Sequence, residues 1–356
     1  MPLPGGYWLW PLRMAATATS RSSSGPSVSG KPWPRLIDSV RVASSDMVAK
    51  IVVVNGRSRP ARCSSAAATG MIVPTTTGGL SSAPIVLTVV NYNMHCGMDG
   101  WGRPYDYVAA IESFEADIIA LEESWTVAGE DDGQAERVAA RLGYQVVTHT
   151  LGEGRRIGPQ AGAPDTWLAR PTWVGHNRAL YMDGVRPQPR RVQAMDRWRD
   201  AEPGTWNVAV LVRPDWVMED VRVLTMGLLP ADPVRRAALV VDLTVEGRPL
   251  SVVGTHMAHI HFGAHRNWAE LRRQLRSGAR EDAVFAGDMN TWSPVVRFLL
   301  PGWRLAVAGR TWPTWRPHSQ IDHILLRGPA LRAVSGEVLP HAGSDHRPVR
   351  ATLEVV

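Results

Sequence analysis

Asp288 and Asn290 stand two residues apart in AVFAGDMNTW (283–292), where an apolar run that reads as a buried strand breaks at Gly287. Pro294 then suits the first residue of a new helix. A strand end that delivers a carboxylate and an amide into the following loop is a common place to build a site in a layered α/β protein. Gly-Asp also opens many ordinary turns, so the pair gains weight only from similar groups elsewhere. Such groups recur in order: Asn91, Asn93 and His95 after one apolar run, Glu122 and Glu123 at the end of a second, His256 ending a third, then Asp322 and His323, and finally Asp345 and His346 in the loop GSDHRP. Taken singly, each has a plainer role as a solvated, turn-forming or capping residue. A competing metal chemistry is written in His256, His259, His261 and His265, since clustered histidines hold zinc in other hydrolases. This cluster lacks the accompanying acid, and imidazoles that open a helix after a strand should diverge, which disfavours zinc.

The elements that must position these groups alternate regularly after Pro84. IVLTVVNYN (85–93), DIIALEE (117–123), YQVVTH (144–149), NVAVLVR (207–213), AALVVDLTV (237–245), PLSVVGTH (249–256), IDHILLR (321–327), LRAVSGEVL (331–339) and VRATLEV (349–355) read as strands. Glu246-Gly247 reads as a hairpin turn. Helices are expected from Pro104, over Gln134–Leu142 with a stop at Gly143, and around Trp268, Leu271 and Leu275. Residues 151–206, rich in Pro, Gly, Trp and Arg, read as long ordered loops. Many hairpin strands with few helices between them predict an α/β (α+β) fold of two packed sheets flanked by helices.

The net charge of +6 is misleading until it is divided along the chain. Residues 1–83 carry nine Lys/Arg against two acids, and the remainder carries thirty arginines against thirty-one acids. The basic balance therefore belongs to the Ser/Ala/Thr/Pro/Gly-rich first stretch and gives no argument for a nucleic-acid-binding fold. The expected organisation is a linker-like extension over 1–83 and one folded domain over 84–356. A start at Met47 or Met71 is a plainer reading of the extension than a transit-like segment. Two cysteines, Cys63 and Cys96, exclude a disulfide framework. No apolar run reaches the ~18–20 residues of a membrane span. A cytoplasmic monomer is expected, with secretion left open.

In order, NYNMH, LEES, GTH, GDMN, QIDHIL and SDHRP resemble the motifs of the endonuclease/exonuclease/phosphatase superfamily, over about residues 84–356. The resemblance implies a deoxyribonuclease I-like four-layer sandwich of two mixed β-sheets and a hydrolase of phosphate esters. By the same resemblance Glu123 is the principal ligand of Mg²⁺, with Mn²⁺ as the alternative, and Asn93 stands beside it. Asp345 supports a second metal position or orients the water. Asp288 orients or deprotonates the attacking water, and Asn290 holds that water or the phosphoryl oxygen. His346 contacts the phosphate with Asp322 bonded to its ring, and His256 is a candidate acid for the leaving oxygen. Phosphoester chemistry wants such groups, because anionic oxygens repel nucleophiles until their charge is neutralised and a water is positioned. Glu122 is expected to point away from the metal or to stand behind its ligands, since adjacent strand residues face opposite ways. The tryptophans that follow several motifs (Trp125, Trp292, Trp312 and Trp315) suit core packing first and a stacking wall second. A phosphodiesterase of nuclease type, endo- or exonuclease, acting on DNA or RNA is the first function expected. A phosphatase or phosphodiesterase for a small-molecule or lipid-headgroup phosphate is the second, and a catalytically silent binding module the third.

Overall fold

Period-two burial builds the centre of the protein. In AALVVDLTV, Ala237, Leu239, Val241, Leu243 and Val245 enter one hydrophobic cluster while Ala238 and Val240 enter another on the opposite face. Every strand of this kind needs cover on both faces, and the chain supplies it with a second sheet on one side and helices on the other.

The computed structural model describes residues 49–52, 84–156, 180–182, 201–230, 232 and 234–356. The first sheet contains β1 (Ala49–Val52), β2 (Ile85–Asn93), β3 (Ile118–Val127), β4 (Gln145–Arg156), β5 (Leu180–Met182) and β6 (Glu202–Val212), closed on the far side by β13 (Leu331–Val338) and β14 (Val349–Val355). Its order is β1-β4-β6-β3-β2-β14-β13, with β5 on β4. The second sheet contains β7 (Val217–Thr225), β8 (Ala237–Val245), β9 (Arg248–His256), β10 (Ala283–Asp288), β11 (Arg304–Leu305) and β12 (Asp322–Arg327). Its order is β11-β12-β10-β9-β8-β7. Each sheet is mixed: β2–β3 and β9–β10 are parallel pairs among antiparallel ones.

Leu87, Val89, Ile118 and Val210 from the first sheet meet Leu239, Val252, Ala286 and Ile324 from the second in the central core. Outside the second sheet, α3 (His265–Gly278) and α4 (Ser293–Leu299) cover Val253, Phe285 and Leu325. Outside the first, α1 (Tyr107–Glu112) and α2 (Gln134–Leu142) cover Val90, Ile119 and Leu211. The four-layer sandwich expected from the sequence is thus the architecture observed.

Local differences have local causes. α1 begins at Tyr107 rather than at Pro104, because the Asp106 carboxylate caps the helix by accepting from the Ala109 N–H at 3.0 Å. α2 does stop at Gly143, which takes the left-handed φ of 72°. Within 151–206, expected as loops, β4 continues to Arg156 and β6 starts at Glu202, and β5 adds Leu180–Met182. β7 has no counterpart among the strands expected from the sequence, because Glu219 and Asp220 interrupt its apolar pattern; a bulge between Met218 and Asp220 lies there. Of the extension expected over 1–83, Ala49–Val52 pair antiparallel with β4, and the other residues up to 83 lie outside the described ones. Among the described residues no helix is long and apolar enough to cross a membrane.

Candidate active site

Three of the expected groups share one row of the second sheet. Asp288, the last residue of β10, is in register with His256 at the end of β9 and with Asp322 at the start of β12. Gly287, one step back, has no room for a side chain: a Cβ there would lie 2.2 Å from the Thr255 carbonyl oxygen. The glycine of GDMN therefore lets β9 and β10 approach closely at the row that carries the acids.

The first sheet brings Asn93 and Glu123 to the same place. Asn93 ends β2, and its Nδ2 donates to Glu123 Oε1 at 3.2 Å and to Asp288 Oδ2 at 3.1 Å, which joins the two sheets across the site. Its Oδ1 is turned away and accepts the His95 N–H at 2.9 Å, so the nitrogen faces the carboxylates. Glu123 sits in a β-bulge between Leu121 and Ser124 and takes a left-handed φ of 51°. The bulge suspends the one-in, one-out alternation at the two glutamates. Glu123 lines the cleft, whereas Glu122 is fully buried with both oxygens unpartnered. Burial, with Asp322 and Asp288 nearby, pushes the Glu122 carboxyl well above the usual carboxylate range.

The loop before β14 completes the cluster. Its backbone is pinned by Tyr92, whose hydroxyl accepts from the Ser344 N–H at 3.1 Å. His346 Nδ1 lies 3.0 Å from Asp322 Oδ2, and its Nε2 is 3.8 Å from Asp288 Oδ2. Burial disfavours charge on this ring, but Asp322, Asp345 and Asp288 together overcome it and hold the His346 pKa well above an ordinary histidine. Asp345 accepts from Trp312 Nε1 at 3.2 Å and stands 3.7 Å from His95 Nδ1. A ligand atom from each of Asp288, Asp322 and His346 falls within 4.8 Å of the others.

Asp288 is buried, and burial together with Asp322 pushes its pKa up to about 7, against the opposing effects of His346, the Asn290 N–H and Asn93. Its Oδ1 accepts that Asn290 N–H at 2.8 Å. Asn290 takes a φ of 47°, and its Nδ2 reaches the Met257 carbonyl at 3.0 Å and His256 Nε2 at 3.1 Å. Burial first, then the charges of Arg236 and His346, drive the His256 pKa well below an ordinary histidine. Asn290 Nδ2 thus faces a ring nitrogen of His256 whose charged form burial disfavours.

All eight expected site residues (Asn93, Glu123, His256, Asp288, Asn290, Asp322, Asp345 and His346) therefore converge on one place, and a cleft of about 480 Å³ opens over it. Glu123, Asp288 and Asp345 line this cleft together, an excess of carboxylate oxygen with no Lys or Arg among the described lining residues. Hard oxygen donors with such an excess fit a divalent cation. The histidine cluster does not converge: His256 turns to Asn290 while the His259 and His261 rings pack on each other at 4.1 Å. Sequence reasoning missed His318 and Ser319, which line the cleft from the loop between β11 and β12. It also missed Trp206, a residue of β6 whose ring meets His256 edge-on at 5.2 Å.

Comparison with solved structures gives the same fold at low identity. The endonuclease/exonuclease/phosphatase of Beutenbergia cavernae DSM 12333 matches with 21% identity over 76% of this chain and 72% of that one, at a TM-score of 0.51. The human Nocturnin catalytic domain with bound sulfate matches with 14% identity over 79% and 100%, at 0.51. A family protein from Bacteroides thetaiotaomicron matches with 17% identity over 77% and 99%, at 0.50. No curated protein matches the chain by sequence. The model of the Endonuclease/Exonuclease/phosphatase family matches residues 90–346, well over half of the sequence. The chain belongs to the endonuclease/exonuclease/phosphatase family, whose members are phosphoester hydrolases and generally depend on a divalent metal.

Proposed function

We propose that the protein is a Mg²⁺-dependent phosphodiesterase of nuclease type that hydrolyses a phosphate diester with an Asp288-activated water. The observation that carries this reading is the contact across the sheets, Asn93 Nδ2 to Asp288 Oδ2, which sets the Glu123 carboxylate beside the row Asp322, Asp288 and His256. Glu123 would hold Mg²⁺, or Mn²⁺ in its place, with Asn93 fixing the carboxylate and Asp345 offering a second position. When bound, the cation supplies charge neutralisation at the phosphoryl oxygens.

The chain's own groups divide the remaining work. Asp288, with a pKa near neutrality, accepts the proton of the attacking water as its oxygen bonds to phosphorus, and the leaving oxygen, released as the other P–O bond breaks, takes a proton from solvent in the open cleft. His346, kept protonated by Asp322, presents Nε2–H to a phosphoryl oxygen and opposes the charge that grows there. Asn290 positions the water, and the neutral His256 ring holds the Asn290 amide in place.

The test is the purified protein with Mg²⁺ against plasmid DNA, RNA, bis-p-nitrophenyl phosphate and p-nitrophenyl phosphate in parallel. Hydrolysis of the diesters ahead of the monoester is expected, and chelation by EDTA should abolish it. Preference for the monoester would replace this reading with a phosphatase.

A further inference from the structure

We infer that the cleft contains a ring-binding subsite beside the hydrolysed phosphate, built on Trp292, Trp312 and His318, that takes one flat heteroaromatic group of the nucleobase class. This deepens the phosphodiesterase reading and rests on it for the position of the phosphate. Trp292 is the starting point. Trp125, Trp206 and Trp268 are fully buried, yet Trp292 is 55% exposed, and among the described residues it is the one tryptophan with more than a third of its surface in solvent. It also lines the cleft.

Its position follows from its neighbours. Thr291 beside it is buried, and Trp292 itself precedes α4, so the backbone is anchored on both sides. The indole Nε1–H reaches Ser319 Oγ at 3.4 Å, and that hydroxyl contacts His318 Nδ1 at 2.8 Å. Ser319 is held in turn by backbone pairing with Trp312. Trp312 meets His318 edge-on at 5.4 Å and binds Asp345 through its own Nε1. Three rings thus stand together in the cleft lining, with polar atoms between them and the His346 ring 6.5 Å from that of Trp312.

The chemistry of that wall selects its occupant. A flat π face recovers the burial that an exposed indole forgoes, and the Ser319 hydroxyl and His318 imidazole can meet hydrogen-bonding atoms on a ring edge. An aliphatic tail could cover the indole but would offer the hydroxyl and the imidazole no hydrogen-bonding atom. A cleft of about 480 Å³ is of the size that encloses a single small molecule. Stacking on an aromatic side chain is worth roughly 5- to 150-fold in affinity per ring.

Isothermal titration of the full chain with Mg²⁺, using adenosine 5′-monophosphate and ribose 5-phosphate, tests the subsite without turnover. The two ligands share the phosphate and sugar and differ in the ring. The wild type should bind the nucleotide at least ~5-fold more tightly. Trp292→Ala should remove that preference and leave ribose 5-phosphate unchanged, while Trp292→Phe should keep most of it. Equal affinity of the wild type for both ligands, including no measurable binding of either, overturns the subsite. So does a preference that survives in Trp292→Ala. Should a variant fail to fold, the wild-type comparison still decides. A ring preference in a protein that does not hydrolyse diesters would count against the phosphodiesterase reading alone.

Discussion

Replacing Asp322 by Asn strikes the proposed mechanism at its most exposed assumption. The substitution keeps size and a hydrogen-bonding edge but removes a charge held 3.0 Å from His346 Nδ1, with both groups buried. At that separation and an effective dielectric near 20, the attraction for a protonated ring is roughly 5 kcal/mol. Asp345 and Asp288 also favour the protonated form, so part of the stabilisation survives. Breaking a buried pair typically costs ~3–5 kcal/mol, which corresponds to roughly 10²- to 10³·⁵-fold in rate if it falls on the transition state. The direction of the pH effect is also fixed. The working form is the protonated ring, so activity is lost as pH rises through the raised His346 pKa. Without Asp322 that pKa falls, and the alkaline limb of the profile must move to lower pH. Steady-state hydrolysis of bis-p-nitrophenyl phosphate at saturating Mg²⁺ would be compared for Asp322→Asn, His346→Ala and the double variant. His346→Ala should cost at least as much as Asp322→Asn, and the double variant little more than either, because residues acting as one unit are not additive. If the logarithms of the two losses add, or the alkaline limb stays in place, the dyad assignment is wrong.

Glu123→Gln should weaken Mg²⁺ binding strongly in a calorimetric titration, while Glu122→Gln, at a carboxyl that burial pushes well above the usual range, should leave it nearly unchanged; equal effects would remove the distinction drawn between them. His149, on β4, is buried with neither ring nitrogen partnered, and burial lowers its pKa to about 4. The unfolded chain takes up that proton near pH 6.5 and the folded one only near 4, so stability should fall as pH drops through this window, by about 2 kcal/mol at pH 5. Urea unfolding of His149→Phe at neutral and acid pH should show that dependence reduced; an unchanged difference would place the acid sensitivity elsewhere. Deleting residues 1–83 removes the outer strand Ala49–Val52 but no site residue. Turnover should persist with a modestly lower melting temperature, and an inactive or insoluble product would make the extension part of the fold.

How much of this was legible in the sequence depends on where each residue lies. AALVVDLTV and VRATLEV are strands with the bounds read from their alternation, because one-dimensional burial period and three-dimensional face coincide in a regular strand. The same reasoning misjudges the geometry of LEES. A bulge at Glu122/Glu123 is set by pairing with β6, some eighty residues later, and nothing in a run of two acids announces it. The register that aligns Asp322, Asp288 and His256 is likewise a property of three strands at once. Motif order located these residues, and only the sheet supplied their mutual distances. His256 shows the limit most clearly. A histidine at a strand end can be an acid, a base or a fixed acceptor, and what bears on the choice, burial and the charges of Arg236 and His346, is not written in GTH.

The tryptophans mark the step from reaction to substrate. Trp125 and Trp292 follow their motifs in the same manner, yet one is sealed in the core with its Nε1 bonded to Glu202 and the other stands half in solvent at the cleft. The strand-end acids, amide and histidines are the groups that phosphoester hydrolysis requires whatever the leaving group. Among the described residues, the loops around 291–292 and 311–320 supply much of the remaining lining of the cleft, and the proposed selectivity rests on them. The bracing of Trp312 onto Asp345 ties one of these loops directly to a candidate metal-facing carboxylate. A ring seated on this wall would thus press on a side chain that also binds the site, and substrate binding and cation affinity should be coupled through Trp312.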